Sequence, residues 1–272
     1  MWGKFVVFAV LVTSSCWSFN FSSTNNQGKP IEINADNGIE CDRETNVCTA
    51  TGNVVISQNG ITLKADRVTV HLKQLSEGHQ TIVKAEVFGH VEIKSLDKPQ
   101  TATAEYGVYN FEKGEARFTG NNLKLVFDTF SISAKDSLDF SEEPMIASAH
   151  GQAVAIKDGN KIEADVLQAH FKKDSQGHYV VDKVQALNDV NLKGENQLGF
   201  AKQGSYSHSN KRGQLEGDVH ILSQEGVIVG EKAETDLEAK TSTVTGGKDS
   251  KRRVKMLIIN QQARTSKNRE LF

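Results

Sequence analysis

Along most of the chain, apolar and polar residues alternate one for one, the period of a half-buried β-strand and not of a helix. Ile61, Leu63 and Ala65 alternate with Thr62 and Lys64. The parity then reverses: Val68, Val70 and Leu72 are apolar, while Arg67, Thr69 and His71 are not. The same reversal recurs at Ile162 and Ala164, followed by Leu167, Ala169 and Phe171. A strand that keeps one face dry cannot change parity without a bulge or a corner. Ala65-Asp66 and Ala164-Asp165 are therefore expected to mark equivalent bends in a curved sheet. Turn signals at Asn59-Gly60, Glu77-Gly78, Lys113-Gly114, Asp158-Gly159 and Gln176-Gly177 separate the runs. Enrichment in Val, Ile, Thr and Phe, with no long 3.6-residue period, predicts strands throughout. The expectation is an all-β chain of about 14–18 short antiparallel strands in one continuous twisted sheet.

The pattern is duplicated in tandem. Ala50 to Lys94 recurs as Ala149 to Lys193, 99 residues later, with 14 of 45 positions identical and no gap. The identities include Gly52/Gly151, Gly60/Gly159, Ala65-Asp66/Ala164-Asp165, His71/His170 and Val91/Val190. The match continues more weakly at an offset of 97, through Tyr109/Tyr206, Gly120/Gly217 and Lys135/Lys232. Repeated turn glycines and alternating apolar residues describe an extended scaffold, not a catalytic cleft. The expected organisation is a signal peptide over 1–18, a flexible leader over 19–29, repeats over 30–148 and 149–260, and a polar tail over 261–272.

Export is read from the start of the chain. Lys4 precedes the apolar run Phe5 to Val12 and then Thr13-Ser14-Ser15. That order of charge, short apolar core and small residues is the order of a secretory signal, and the run is short of the ~20 residues that span a bilayer. Retention as an inner-membrane anchor and lipidation at Cys16 are the alternatives. Cys41 and Cys48 flank a polar loop between two apolar arms, so an oxidising compartment favours a disulfide clamping a hairpin, with two free thiols as the alternative. Two sulfurs alone make a poor zinc site, and no cofactor or metal is expected.

With a net charge of −2 across 272 residues, no global field draws the chain to nucleic acid. No nucleophile, metalloprotease or phosphate-loop motif is present, and Glu142-Glu143 beside Pro144 reads as a solvated turn. The basic run Lys251-Arg252-Arg253 reads as a charged lead-in to a last strand, or as a contact for phosphates or an acidic partner. What remains is the apolar face. Its expected lining is Val54, Ile56, Ile61, Leu63, Val68, Val70, Val91 and Ile93, with Ile162, Leu167, Phe171, Val190 and Leu192 in the second repeat. Either these residues close on themselves as an ordinary core, or they form a groove for hydrocarbon.

Pro30 to Asp36 (Pro-Ile-Glu-Ile-Asn-Ala-Asp), Ala50 to Gln58 (Ala-Thr-Gly-Asn-Val-Val-Ile-Ser-Gln), Leu63 to Asp66, Leu215 to Val219 and Arg253 to Lys255 form an ordered series. In that series the chain resembles the OstA-like family, which includes the lipopolysaccharide-transport protein LptA and the periplasmic parts of LptC and LptD. The resemblance covers roughly 30–259 and is nearest to the long alphaproteobacterial members. It implies an open twisted antiparallel β-jellyroll whose apolar lumen holds the acyl chains of lipopolysaccharide in the periplasm. It also implies head-to-tail self-association and partners of the LptC and LptD kinds in the inner and outer membranes. An LptC-like anchored subunit and a structural β-repeat protein of the envelope are the alternatives. The Cys41/Cys48 pair and the length depart from shorter members.

Overall fold

Alternating runs cut by turn glycines become strands, and among the described residues nothing else: 18 antiparallel strands of one sheet, with no helix. The computed structural model describes residues 31–58, 60–75, 80–96, 99–128, 130–175, 179–247 and 253–259. The expected signal peptide with Cys16, the leader, the polar tail, Lys251 and Arg252 lie outside the described residues. Two compact units are present, one of 31–155 with 166–181 and one of 156–165 with 182–259.

The first unit begins with β1 (Glu32–Asn34), β2 (Gly38–Asp42), β3 (Val47–Gln58), β4 (Ile61–Gln74), β5 (Gln80–Ser95) and β6 (Gln100–Asn110). It continues with β7 (Glu115–Thr119), β8 (Lys124–Phe127), β9 (Phe130–Ser133), β10 (Ser137–Ser141) and β11 (Ile146–Lys157). β3 to β6 form a meander. Short strands lie in line along the long ones. β1 and β2 both ladder on β3, and β7 and β8 both ladder on β6. β8 then pairs with β9, and β7 with β10.

β12 (Asn160–Lys173) is followed by β13 (Tyr179–Lys193), β14 (Gln197–Ser207), β15 (Arg212–Ser223), β16 (Gly226–Asp236), β17 (Thr241–Thr245) and β18 (Lys255–Ile258). In the second unit β13 to β16 form a meander, and β17 and β18 both ladder on β16.

The reversal of parity has the predicted cause. Between β3 and β4 the register steps from Thr51 opposite Arg67 to Val54 opposite Ala65, so Gly52 and Asn53 face Asp66 alone. Between β5 and β6, Gly89 and His90 likewise face Glu105. β13/β14 and β15/β16 carry the same bulge, at Asn188-Asp189 and Gly217-Asp218. β3 and β5, which carry the extra residue, keep one parity throughout (Ala50, Val54, Ile56; Val87, Val91, Ile93). β4 and β6 opposite reverse theirs (Leu63, Ala65 then Val68; Ala102, Ala104 then Gly107), so each strand stays apolar inward on both sides of its bend. In β12 the burial pattern switches in the same way, with Ile162 and Ala164 buried, Asp165 exposed, then Leu167 and Phe171 buried.

Each bulge places two successive residues at positive φ, for example +72° at Gly89 and +46° at His90. A Cβ at Gly89 would lie 2.0 Å from Asp66 Oδ2, so glycine is required there for space as well as for backbone. Asp66 fills that space and bonds His90 Nδ1 at 2.9 Å.

At the first hairpin Cys41 stands directly opposite Cys48, and the two form a disulfide. Asp42 Oδ1 accepts the amides of Glu44 and Thr45 at 2.8 and 3.2 Å, which holds its carboxyl below the usual range. Glu142, expected in a solvated turn, sits in the turn after β10 and also accepts a 2.6 Å hydrogen bond from the Tyr109 hydroxyl.

Candidate functional site: the apolar inner face

Register aligns the inward residues into rows that cross the strands. Beyond the bulge, Ile33, Ile56, Leu63, Ile93, Ala102, Leu125 and Ile132 stand in succession on β1, β3, β4, β5, β6, β8 and β9. At ~4.8 Å per strand that is an unbroken apolar row about 29 Å long. On the other side of the bulge a second row runs Ile39, Ala50, Val68, Val87, Gly107, Phe118, Leu138 and Ala149. A third runs from the Cys41–Cys48 pair through Val70, Ala85, Tyr109 and Ala116 to Phe140. In the second unit, Leu192, Gly199, Ile221, Ile228 and Met256 make the row that corresponds to the first.

All thirteen residues expected to line this face are buried or half-buried, but they are not equivalent. Val54, Val68, Val91 and Ile93 are at most 4% exposed and pack with Ala65, Ala104 and Leu123 in one cluster beside the bulge. Ile56, Ile61, Leu63 and Val70 are only half-buried and flank that cluster. Ile162, Leu167, Phe171, Val190 and Leu192 are all buried. The face is thus a closed core at the bend with accessible apolar surface towards the strand ends.

Sequence reasoning missed Ile33, Ala102, Leu125 and Ile132. Short alternating runs at 124–127 and 130–133 were the available signal for Leu125 and Ile132, but alternation does not tell which residues stand opposite.

Both ends of the ladder carry apolar residues on unpaired backbone. β1 pairs with β3 and β18 with β16, and the other edge of each has no partner among the described residues. Ile31, Ile33, Met256, Leu257, Ile258 and Ile259 are 39–68% exposed there. Arg253, the described member of the basic run, is exposed just before β18.

The outer face in the first unit is polar and locally networked. Glu86 accepts from His71 Nε2 at 2.8 Å, Lys84 Nζ at 3.0 Å and the Tyr106 hydroxyl at 2.9 Å. Partial burial alone would raise the Glu86 pKa, but these three donors outweigh it and bring it down to about 2. Burial and the Glu86 charge push Tyr106 up to about 12. Arg67 lies 4.2 Å over the Phe88 ring, which contacts Tyr106. His71 is thereby a residue of the sheet face, bonded to Glu86. Among the described residues no three His, Cys, Asp or Glu side chains gather as metal ligands.

Fold and site together define a class: an antiparallel all-β scaffold whose distinguishing feature is a continuous apolar face. A family model described as LptA/(LptD N-terminal domain) LPS transport protein matches the chain twice, over residues 32–137 and 131–241. The chain belongs to this family of lipopolysaccharide-transport proteins. No curated protein matches it. Among solved structures it is similar to LptH from Pseudomonas aeruginosa, described as the LptA-homologous periplasmic component of the lipopolysaccharide transport device. That likeness has 12% identity, covers 86% of this chain and 99% of the other, and has a TM-score of 0.22.

Proposed function

We propose that the protein is a periplasmic carrier that shelters the acyl chains of lipopolysaccharide on its inner face and hands them along a row of like proteins. The observation that carries this reading is the seven-residue apolar row from Ile33 to Ile132, which no polar side chain interrupts. Burying one methylene is worth about 0.8 kcal/mol, so a twelve-carbon chain in water costs roughly 10 kcal/mol. A multiply acylated lipid cannot cross an aqueous compartment bare. Transfer between similar apolar rows is nearly isoenergetic, and direction is set by the inner-membrane end of the pathway. The half-buried Ile56, Ile61, Leu63 and Val70 offer hydrocarbon the accessible surface; Val54, Val68, Val91 and Ile93 hold the bend.

The free edges supply the means of stacking. An unpaired strand recruits another strand, and β1 and β18 present such edges with exposed apolar side chains. Head-to-tail copies bridge towards LptC-like and LptD-like partners at the two membranes. A photo-crosslinker at Val70 captures lipopolysaccharide on this reading, and consistent failure to do so would refute the groove. Deletion of 254–272 leaves a folded monomer that no longer stacks; unchanged oligomers by light scattering would refute the edge contact.

A further inference from the structure

Among the described residues two buried side-chain atoms have no hydrogen-bond partner, Gln100 Oε1 and His208 Nδ1. His208 lies in the turn after β14. Gln100 lies on the inner face itself. It opens β6 directly opposite Phe127 on β8, two residues before Ala102, whose partner is Leu125 of the first apolar row. Residues two apart on a strand share a face, so Gln100 points inward with Ala102. It is 7% exposed, Phe127 opposite it is 6% exposed, and the Phe127 and Phe130 rings stack 6.4 Å apart.

A buried carbonyl oxygen is ordinarily given a donor, because leaving it without one costs stability. An apolar side chain of similar size would occupy this place without that cost. The glutamine recurs 97 residues on as Gln197, but there it is only half-buried and faces Ser223. The unpaired oxygen thus belongs to the first unit.

Accessible hydrocarbon surface comes close to it. Ala102 and Leu125 are half-buried and lie one inward step away, about 7 Å along the strand. In the other direction the strand ends at once, at a turn where Leu96 and Pro99 are exposed. An acyl chain with its tail along the first row and its polar head at that turn passes Gln100 within its first few carbons. Ser95, half-buried one residue beyond the last β5–β6 pair of Lys94 and Thr101, offers a second polar group on that side.

We propose that Gln100 is a specificity residue for acyl chains that carry a hydroxyl group near their head, with Oε1 accepting the hydrogen bond of that hydroxyl. A plain acyl chain, as in ordinary membrane phospholipids, brings no donor and leaves the oxygen unpaired. A hydroxylated chain of the same length supplies one, and the difference between a satisfied and an unsatisfied buried acceptor is the discrimination. The inference rests on the acyl-chain reading and deepens it, from sheltering hydrocarbon to sorting it.

The test displaces a neutral fluorescent hydrocarbon from the purified full chain with methyl decanoate and with methyl 3-hydroxydecanoate. The proteins are the parent, Gln100→Leu, Gln100→Met and Gln197→Leu, each checked for fold by circular dichroism. The hydroxyl also favours water, so the quantity compared between proteins is the ratio of the two affinities, from which that contribution cancels. The ratio is expected to shift about 5-fold towards the plain ester in Gln100→Leu and in Gln100→Met. Gln197→Leu keeps the parent ratio. In the parent itself, the side-chain amide resonances of Gln100 shift with the hydroxylated ester and not with the plain one, a readout that needs no variant. Equal ratios in the parent and the Gln100 variants, an equal shift in Gln197→Leu, or Gln100 resonances that respond alike to both esters would each overturn the inference and leave the acyl-chain reading standing. A parent that takes up no fluorescent hydrocarbon overturns the acyl-chain reading, and this inference with it.

Discussion

Replacing Gly89 with alanine tests whether the bulges shape the inner face as argued. Two costs add at that position. The backbone there has φ +72°, and an L-residue in the left-handed region costs about 1–2 kcal/mol. The new Cβ would also lie 2.0 Å from Asp66 Oδ2, 2.6 Å from Cγ and 2.9 Å from Cβ. Asp66 must therefore move, which forfeits its contact with His90, worth about 0.5 kcal/mol at so exposed a site, and shifts the bulge by an overpacking cost of about 1 kcal/mol or more. The expected total is about 3 kcal/mol. Gly159 supplies a control, because its φ is +80° but a Cβ there meets nothing within 4 Å. Gly159→Ala is expected to cost only the backbone share.

Asp66→Ala supplies the second control. It removes the carboxylate that the new methyl would strike and leaves only the 2.9 Å contact with Cβ, so Gly89→Ala in that background should cost about 2 kcal/mol, less than in the parent. The four variants and the parent are compared by urea unfolding followed by far-ultraviolet circular dichroism, with the slopes checked for constancy. A Gly89→Ala protein within 0.5 kcal/mol of the parent would refute the argument. So would a penalty that is the same with and without the Asp66 carboxylate.

Two further outcomes follow from the polar face and the hairpin. Glu86 titrates far below its ordinary 4.5, at about 2, so its hydrogen bonds stabilise the fold above pH 4.5 and lose that effect as the pH falls towards 2. Glu86→Gln should therefore be the less stable protein at neutral pH and converge with the parent in acid; parallel stability curves over that range would contradict the assignment. Removing the disulfide with Cys41→Ser and Cys48→Ser frees a short loop, at a cost of up to about 2.5 kcal/mol. Amide exchange in β2 should accelerate by up to about 70-fold, while the counterpart hairpin of β10 and β11, with Phe140 opposite Ala147, stays unchanged; equal acceleration in both would count against a local clamp.

What the chain revealed before folding, and what it hid, divides along local and non-local physics. The parity reversal at Ala65-Asp66 announced a bulge because a pleated strand has only two faces. Cys41 and Cys48 announced a clamped hairpin because a polar loop separates two apolar arms. Alternation could not reveal that the stretch corresponding to the continuous β15 is broken into β7 and β8 around Gly120, since both versions alternate alike. Nor could it place Ile33 beside Ile56, or His71 and Tyr106 on the same carboxylate. Those neighbours are 15 to 23 residues apart, and the pairing register that joins them depends on loop lengths and on each extra residue at a bulge.

The step from one repeat to the next inside the chain indicates how two molecules can meet. β8 is the last strand of the first repeat pattern, and β9 corresponds to β1, 99 residues on. Between them Leu125 stands beside Ile132, and the apolar row passes from one repeat to the other without interruption. At the end of the chain the corresponding row stops on Met256, 48% exposed on β18; at its start the row begins with Ile33, 39% exposed on β1. β8 and β9 are antiparallel, and an antiparallel contact between β18 of one molecule and β1 of the next would set Met256 beside Ile33. A shift of that register by one residue would instead bring Lys255 or Leu257 into line with Ile33. Because β18 is held to β16 with Met256 opposite Ile228, either slip would set Ile33 beside an outward side chain and turn it out of the dry row. On the proposed stacking, the alternation that keeps the sheet dry within one chain would also select the register between chains, and a lipid tail crossing that joint would meet no more polarity than at Leu125 and Ile132.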